Sequence, residues 1–209
     1  LESIYGNHRQ ELEDTMQYLL EEIQKIRGRM AEETGGEDPV EHCLARIKSE
    51  ESMREKCRRK GLPETEKSAL EDIHDAIGIR IVCSFLSDVY TIRDGLAGLP
   101  GCEVTQEKDY IRHAKPNGYR SYHMILMVTR NGKHCYAEIQ LRTISQDTWA
   151  ALEHHMKYKK QVGGDVALIS EELKRCADEL ASTDLSMQTI RDMIADTGKE
   201  TNPDENPSG

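Results

Sequence analysis

The sequence contains no run of 18 apolar residues, so no segment reads as a membrane-spanning helix. Its first 30 residues mix charged side chains with Leu and Ile, which is not the plan of a signal peptide. Cysteine occurs six times but never as C-x-x-C, and histidine eight times but never as H-E-x-x-H. These absences argue against a disulfide scaffold and a zinc site, and point to reduced thiols and a cytoplasmic setting. His154 and His155 are adjacent, so on a helix their side chains diverge by about 100° instead of converging on a metal. There is no G-x-x-x-x-G-K-S/T loop, no G-x-S-x-G and no protein-kinase signature set; if phosphates are handled, another scaffold handles them. No internal repeat is found. Positive charge is not in excess either. Against 38 Asp and Glu stand 28 Lys and Arg, and a net charge of −10 speaks against nucleic-acid binding driven by bulk charge. Any polyanion site is then a local basic patch within an acidic chain.

What is present suits one domain with flanking helices, since 209 residues are enough for a real core. The first residue is Leu, so a trimmed start is expected. Leu12, Met16, Leu19, Leu20, Ile23 and Ile26 recur at helical spacing and predict an amphipathic helix over residues 3–30, within an N-terminal segment ending at 39. Gly35, Gly36 and Pro39 break it. A second helix is expected from Val40 to Lys60, ending near Gly61 and Pro63. Ala69–Ile77 reads as a short helix, Gly78–Phe85 as a buried strand, Asp88–Leu99 as a helix and Glu103–Gln106 as a short strand. Tyr122–Thr129 and Lys133–Leu141 read as a hairpin, because Arg130-Asn131-Gly132 between them carries the Asn-Gly turn signal. In its second strand Cys135, Ala137, Ile139 and Leu141 share a core face, and Tyr136, Glu138, Gln140 and Arg142 share the other. Trp149–Lys160 and Val166–Ile194 read as helices parted by Gly163-Gly164, and residues 198–209 as a disordered tail. The sum is an α+β domain at 40–160: a mixed sheet with flanking helices, and long N- and C-terminal helices, the latter within 161–197.

Three constellations could carry chemistry. Between Arg46 and Lys60 lie seven cations, and Lys48, Ser52, Lys56 and Arg59 follow at steps of four, four and three. Such a stripe can grip a chain of phosphates, lysines as point charges and arginines as flat forks. Taken alone it reads more readily as a solvated face balanced by Glu50, Glu51 and Glu55. Asp75 and Glu138 are carboxylates beside or within strands, able to hold Mg²⁺ on a nucleoside triphosphate; the alternatives are a turn residue and an exposed strand face. The block Lys108–His123, K-D-Y-I-R-H-A-K-P-N-G-Y-R-S-Y-H, interleaves Lys108, Arg112, Lys115 and Arg120 with Tyr110, Tyr119 and Tyr122 around a Pro-Asn-Gly turn. It is either a base-stacking platform with phosphate-holding cations or a basic loop that feeds a strand through a buried Tyr122.

Taken together these segments resemble a known family. Arg46-Ile-Lys48 through Ser52, Asp72-Ile-His-Asp75-Ala-Ile-Gly78-Ile-Arg80, the Lys108–His123 block, Glu138-Ile-Gln140-Leu-Arg142-Thr143, and Trp149-Ala-Ala-Leu-Glu153-His154 through Tyr158-Lys159 stand in the order of the synthetase domain of RelA/SpoT-type alarmone synthetases. The resemblance covers residues 40–160, with no hydrolase or regulatory domain beside it, as in a small stand-alone synthetase. It implies a nucleotidyltransferase-like fold of the polymerase β type. It also implies transfer of the β,γ-pyrophosphate of ATP to the 3′-hydroxyl of GDP or GTP, giving (p)ppGpp and AMP. On the resemblance Arg46, Lys48, Ser52, Lys56 and Arg59 hold ATP, Asp75 binds Mg²⁺, and Glu138 is a second metal partner or the base. Tyr119 stacks on guanine, and Lys108, Lys115, Asn117, His123 and Gln140 line the guanine nucleotide; Arg80 and Arg142 are structural or phosphate-facing. Product-activated members carry an aromatic and a hydroxyl residue where this chain has His42-Cys43-Leu44-Ala45, so product-driven activation is not expected. A homotetramer assembled through terminal helices is expected. Two alternatives share the catalytic residues or the scaffold: a toxin-like tRNA 3′-end pyrophosphokinase, which the net acidity disfavours, and an inactive nucleotide- or RNA-binding regulator.

Overall fold

A computed structural model of the chain describes residues 2–130, 132–158 and 166–200. Helix α1 (Arg9–Glu33) is followed by strand β1 (Val40–Ile47), helix α2 (Glu50–Lys60), a short π-helical turn (Ser68–Asp72) and strand β2 (Ile77–Cys83). Helix α3 (Leu86–Ala97), strands β3 (Cys102–Asp109), β4 (Tyr122–Arg130) and β5 (Lys133–Thr143), and helices α4 (Ile144–Tyr158) and α5 (Val166–Glu200) complete it. The five strands form one mixed sheet in the order β1-β2-β5-β4-β3. Only the β2–β5 pair is parallel; the others are antiparallel.

Two sequence expectations are corrected. Val40–Ile47 is a strand and not the first half of a helix. The helix begins at Glu50 because the Ser49 hydroxyl accepts from the Ser52 amide, an N-cap, with Glu50 and Glu51 in the first turn against the positive helix end. Residues 69–77 are likewise not one helix: the π turn ends at Asp72 and β2 begins at Ile77. The hairpin holds, with Arg130 paired to Lys133. Gly132 turns with a φ of 76°, while Asn131 lies outside the described residues, as do Gly163-Gly164 and the expected tail beyond Glu200.

Register sorts the side chains into two faces, because successive residues of a strand point to opposite sides. Ile79, Ile139 and Met124 stand side by side on one face, and so do Ile77, Ala137 and Leu126; all are buried. Leu12, Leu19, Ile23 and Ile26 of α1 and Val89, Ile92 and Leu96 of α3 join them in the core. Each fully buried aliphatic chain of this kind stabilises by about 1.5–3 kcal/mol. The other face carries two polar rows. One runs Leu44, Arg80, Gln140, His123, Lys108 and the other Arg46, Gly78, Glu138, Ile125, Gln106, each across β1, β2, β5, β4 and β3.

Candidate active site

The polar rows form the floor of a cleft lined by Leu44, Ala45, Arg46, Lys48, Asp75, Gly78, Ile79, Arg80, Glu138 and Gln140. Its walls come from segments that enter or leave the sheet. Lys48 sits in the turn between β1 and α2, so it does not share a helix face with Lys56 as the spacing predicted. The two lysines still converge: Lys48 Nζ and Lys56 Nζ lie 2.8 and 2.5 Å from the same Asp75 oxygen, Oδ2. The other oxygen, Asp75 Oδ1, is buried and has no hydrogen-bond partner. An unsatisfied buried carboxylate oxygen is costly, and Asp75 belongs to the lining of the cleft. Ser52 is exposed and its hydroxyl accepts from that of Ser49 at 2.8 Å. Arg59 is exposed on the last turn of α2 and does not line the cleft.

Glu138 is the second carboxylate of the cleft. Its carboxyl is held at about 2, first by the neighbouring His123 ring, then by the Gln140 hydrogen bond and the charge of Lys56, all working against burial. Gln140 Nε2 donates to Glu138 Oε2 at 3.1 Å, and His123 Nδ1 lies 3.7 Å from Oε1. Among the described residues no three His, Cys, Asp or Glu side chains converge as a metal cage. Mg²⁺ needs none, since it takes one or two carboxylates and completes its shell with phosphate and water. Asp75 Oδ1 and an ionised Glu138 fit that demand.

The far side of the cleft is a hydrogen-bonded chain. Arg142, 4 % exposed, donates to Tyr119 Oη at 2.7 Å, to Gln140 Oε1 at 3.3 Å and to Asp147 Oδ1 at 2.9 Å. The Tyr119 oxygen and His123 Nε2 are 2.8 Å apart. The Tyr119 oxygen thus links Arg142 to His123, whose other ring nitrogen, Nδ1, lies on the Glu138 side. Lys115 Nζ lies over the rings of both Tyr110 and Tyr119, at 4.5 and 4.8 Å. Asn117 accepts from the Tyr119 amide and donates to Glu153 of α4. Lys108 is exposed at the end of its row, beside His123.

Some expected residues do other work. Arg120 turns away from the cleft and bonds α5. Arg112 lies over Tyr90, 5.1 Å from its centroid. Arg142 is buried in the side-chain network, whereas Arg80 lines the cleft with its Nε buried and unpartnered. Burial and the nearby Arg142 push the Arg80 guanidinium below its usual value, opposed by Asp147. Asp147 was missed, although it gathers Arg142, Arg80 (3.5 Å) and His42 (3.6 Å) at one carboxylate. The signal was present in Thr143-x-x-Gln146, a capping box that starts α4 at Ile144 and so sets Asp147 in its first turn.

Residues 45–163 match the family described as the region found in RelA / SpoT proteins. GTP pyrophosphokinase YwaC of Bacillus subtilis is 42 % identical over 161 residues, covering 75 % of this chain and 76 % of the relative. GTP pyrophosphokinase YjbM of the same organism is 34 % identical over 157 residues, 73 % and 72 % of the two chains. The crystal structure of small alarmone synthetase 1 from Bacillus subtilis bound to its product pppGpp superposes with a TM-score of 0.74 at 31 % identity, over 88 % of this chain and 94 % of that one. Small alarmone synthetase 2 from the same organism gives 0.71 at 36 %, over 88 % and 98 %. A profile that matches more than half of the chain, relatives covered over most of their length and a shared nucleotidyltransferase-like sheet lead to one conclusion: this chain belongs to the RelA/SpoT family.

Proposed function

We propose that this chain transfers the β,γ-pyrophosphate of ATP to the 3′-hydroxyl of GDP or GTP, giving (p)ppGpp and AMP. The observation that carries the reading is the layout of the polar face: Arg46, Lys48, Lys56 and Arg80 toward one side, His123, Gln140 and Tyr119 toward the other, Asp75 and Glu138 in the middle. The likeness to GTP pyrophosphokinases over most of their length supports it. On the donor side Arg46, Lys48 and Lys56 hold the triphosphate, with Ser52 and Arg59 further along α2. On the acceptor side Tyr119 is the base platform, and Lys108, Lys115, Asn117, His123 and Gln140 line the guanine nucleotide.

The 3′-hydroxyl oxygen forms a bond to the β-phosphorus and gives up its proton to solvent, while the bond from that phosphorus to the α,β-bridging oxygen breaks and AMP leaves with the electron pair. Such a transfer needs positioning and charge neutralisation more than covalent help. Asp75 and Glu138 would hold Mg²⁺, which when bound would supply charge neutralisation on the phosphate oxygens. Lys48 and Lys56 release Asp75 Oδ2 as phosphates replace it as their partner. Glu138, with its carboxyl held at about 2, is a poor proton store. It serves better as a ligand and as the acceptor that orients the 3′-hydroxyl, with His123 and Gln140 fixing its two oxygens.

The chain is also read as a homotetramer. On α5 Leu173, Ala177, Leu180, Ala181, Asp184, Gln188 and Arg191 are covered, whereas Leu185, Met187, Ile190, Met193 and Ile194 are about half exposed or more. A helix with its apolar face outward suits a second copy. Among the described residues no helix is long and apolar enough to cross a membrane, and we read the setting as cytoplasmic. The test of the activity is product analysis by mass spectrometry, from ATP and Mg²⁺ with GDP, GTP or tRNA offered separately. AMP together with a guanine nucleotide heavier by a pyrophosphate is expected. Labelling of tRNA alone, or nucleotide binding without AMP, would overturn the reading.

A further inference from the structure

Arg120 follows Tyr119 in the chain but reaches the opposite way. Its Nη1 donates to the carbonyls of Gly118 at 3.1 Å and Ala177 at 3.3 Å, and its Nη2 to Asp178 Oδ1 at 2.9 Å. Beside it Gly118 has a φ of 91°, and a Cβ there would stand 2.7 Å from the Ala177 Cβ and 3.2 Å from the Lys174 Cα. The backbone of the Pro-Asn-Gly turn therefore lies directly against α5, and only glycine permits that approach. The helix is fastened elsewhere on its own account. Thr143 donates to Asp184 at 2.6 Å, Trp149 Nε1 to the Leu173 carbonyl at 2.8 Å, and Arg191 to Asp88 at 2.7 Å. It is thus a fixed post for the turn.

We propose that Arg120 is a positioning residue for the acceptor site: by clamping the Lys115–Tyr119 turn to α5 at Ala177 and Asp178, it sets the affinity for the guanine nucleotide. This rests on the reading that Tyr119 and its neighbours hold the acceptor. A base platform that is already in place spares binding the cost of ordering it. When the clamp is lost, that cost reappears at the acceptor and leaves the donor side untouched. Asp178 is 46 % exposed, so the ion pair itself contributes little to global stability. The clamp therefore acts on acceptor KM without moving the unfolding midpoint, which a purely structural role would move.

The test is steady-state kinetics with ATP and GDP varied separately, on Arg120→Ala, Arg120→Lys, Asp178→Asn and Ala177→Leu. Arg120→Ala is expected to raise KM for GDP roughly tenfold while KM for ATP stays within about twofold. Arg120→Lys recovers part of the loss. Asp178→Asn and Ala177→Leu repeat the effect from the helix side, which keeps the test open should Arg120→Ala fold poorly. Equal rises in both KM values, or an unchanged KM for GDP in Arg120→Ala and Ala177→Leu, overturns the clamp. Tyr119→Ala separates the two readings. If it raises KM for GDP while the clamp variants do not, only the clamp fails; if it leaves KM for GDP unchanged, the acceptor reading fails and the clamp with it.

Discussion

Arg142→Ala should be the most damaging single change near the site that touches neither Asp75 nor Glu138. The guanidinium is 4 % exposed and binds Asp147, Tyr119 and Gln140 at 2.9, 2.7 and 3.3 Å. Removing one partner of a buried ion pair typically costs about 3–5 kcal/mol. Asp147 keeps Arg80 at 3.5 Å and His42 at 3.6 Å, and its side chain is 17 % exposed, so its charge is not stranded. That moves the expectation to the lower end, about 3 kcal/mol, or roughly 6–12 °C in Tm for a chain of this length. Arg142→Lys keeps the charge but lacks the fork needed to reach three acceptors, and should lose about 1–2 kcal/mol. KM for the guanine nucleotide should rise in both, because the Tyr119 hydroxyl loses its anchor. Urea unfolding by far-UV circular dichroism at one fixed protein concentration measures the loss. A stability of Arg142→Ala within about 0.5 kcal/mol of the parent would refute the argument, since that is the range of ordinary surface substitutions.

Three further outcomes follow from the same geometry. Lys48→Met removes a charge-assisted contact of about 1.5–3 kcal/mol, so KM for ATP should rise roughly ten- to a hundredfold with KM for GDP unchanged; a rise in the latter instead would move Lys48 to the acceptor side. The Glu138 carboxyl is lowered from 4.5 to about 2, so the stability its charge contributes is present above pH 4.5 and is lost as pH falls toward 2. The stability gap between parent and Glu138→Gln should therefore be level from about pH 8 to about pH 5 and close under acid, and urea titrations that show it widening would contradict the assigned contacts. Chelation of divalent cations should abolish AMP release and leave the circular dichroism spectrum unchanged, with Mg²⁺ restoring turnover; loss of fold on chelation would mean that the metal is structural.

Much of this was legible in the sequence because it is local. The alternation in Cys135–Arg142 assigns Ile139 to the core and Glu138 to the cleft from period two alone. Helical spacing gave α1 its buried stripe of Leu12, Leu19, Ile23 and Ile26. Strand β1 was misread because its residues, V-E-H-C-L-A-R-I, have little intrinsic β preference and run straight into a strong helix former. What makes it a strand is pairing with β2, thirty-odd residues on, a contact that no local pattern reports. The helix itself begins one residue after Ser49, whose hydroxyl caps it. Lys48 and Lys56 meet Asp75 through tertiary placement of a turn, a helix and a pre-strand residue, so their convergence was legible only through the resemblance. Arg120 was left open between a phosphate-holding cation and part of a basic loop, because composition cannot say to which side of a chain an arginine reaches.

In the proposed reaction Asp75 and Glu138 lie between a donor and an acceptor nucleotide. AMP release from ATP with GDP in Mg²⁺, measured on Asp75→Asn and Glu138→Gln beside the parent, tests it most directly, with circular dichroism to verify folding. Both variants should be folded and lose at least about a thousandfold in kcat, a cost of about 4 kcal/mol in transition-state stabilisation. Full AMP release by both folded variants would contradict the account.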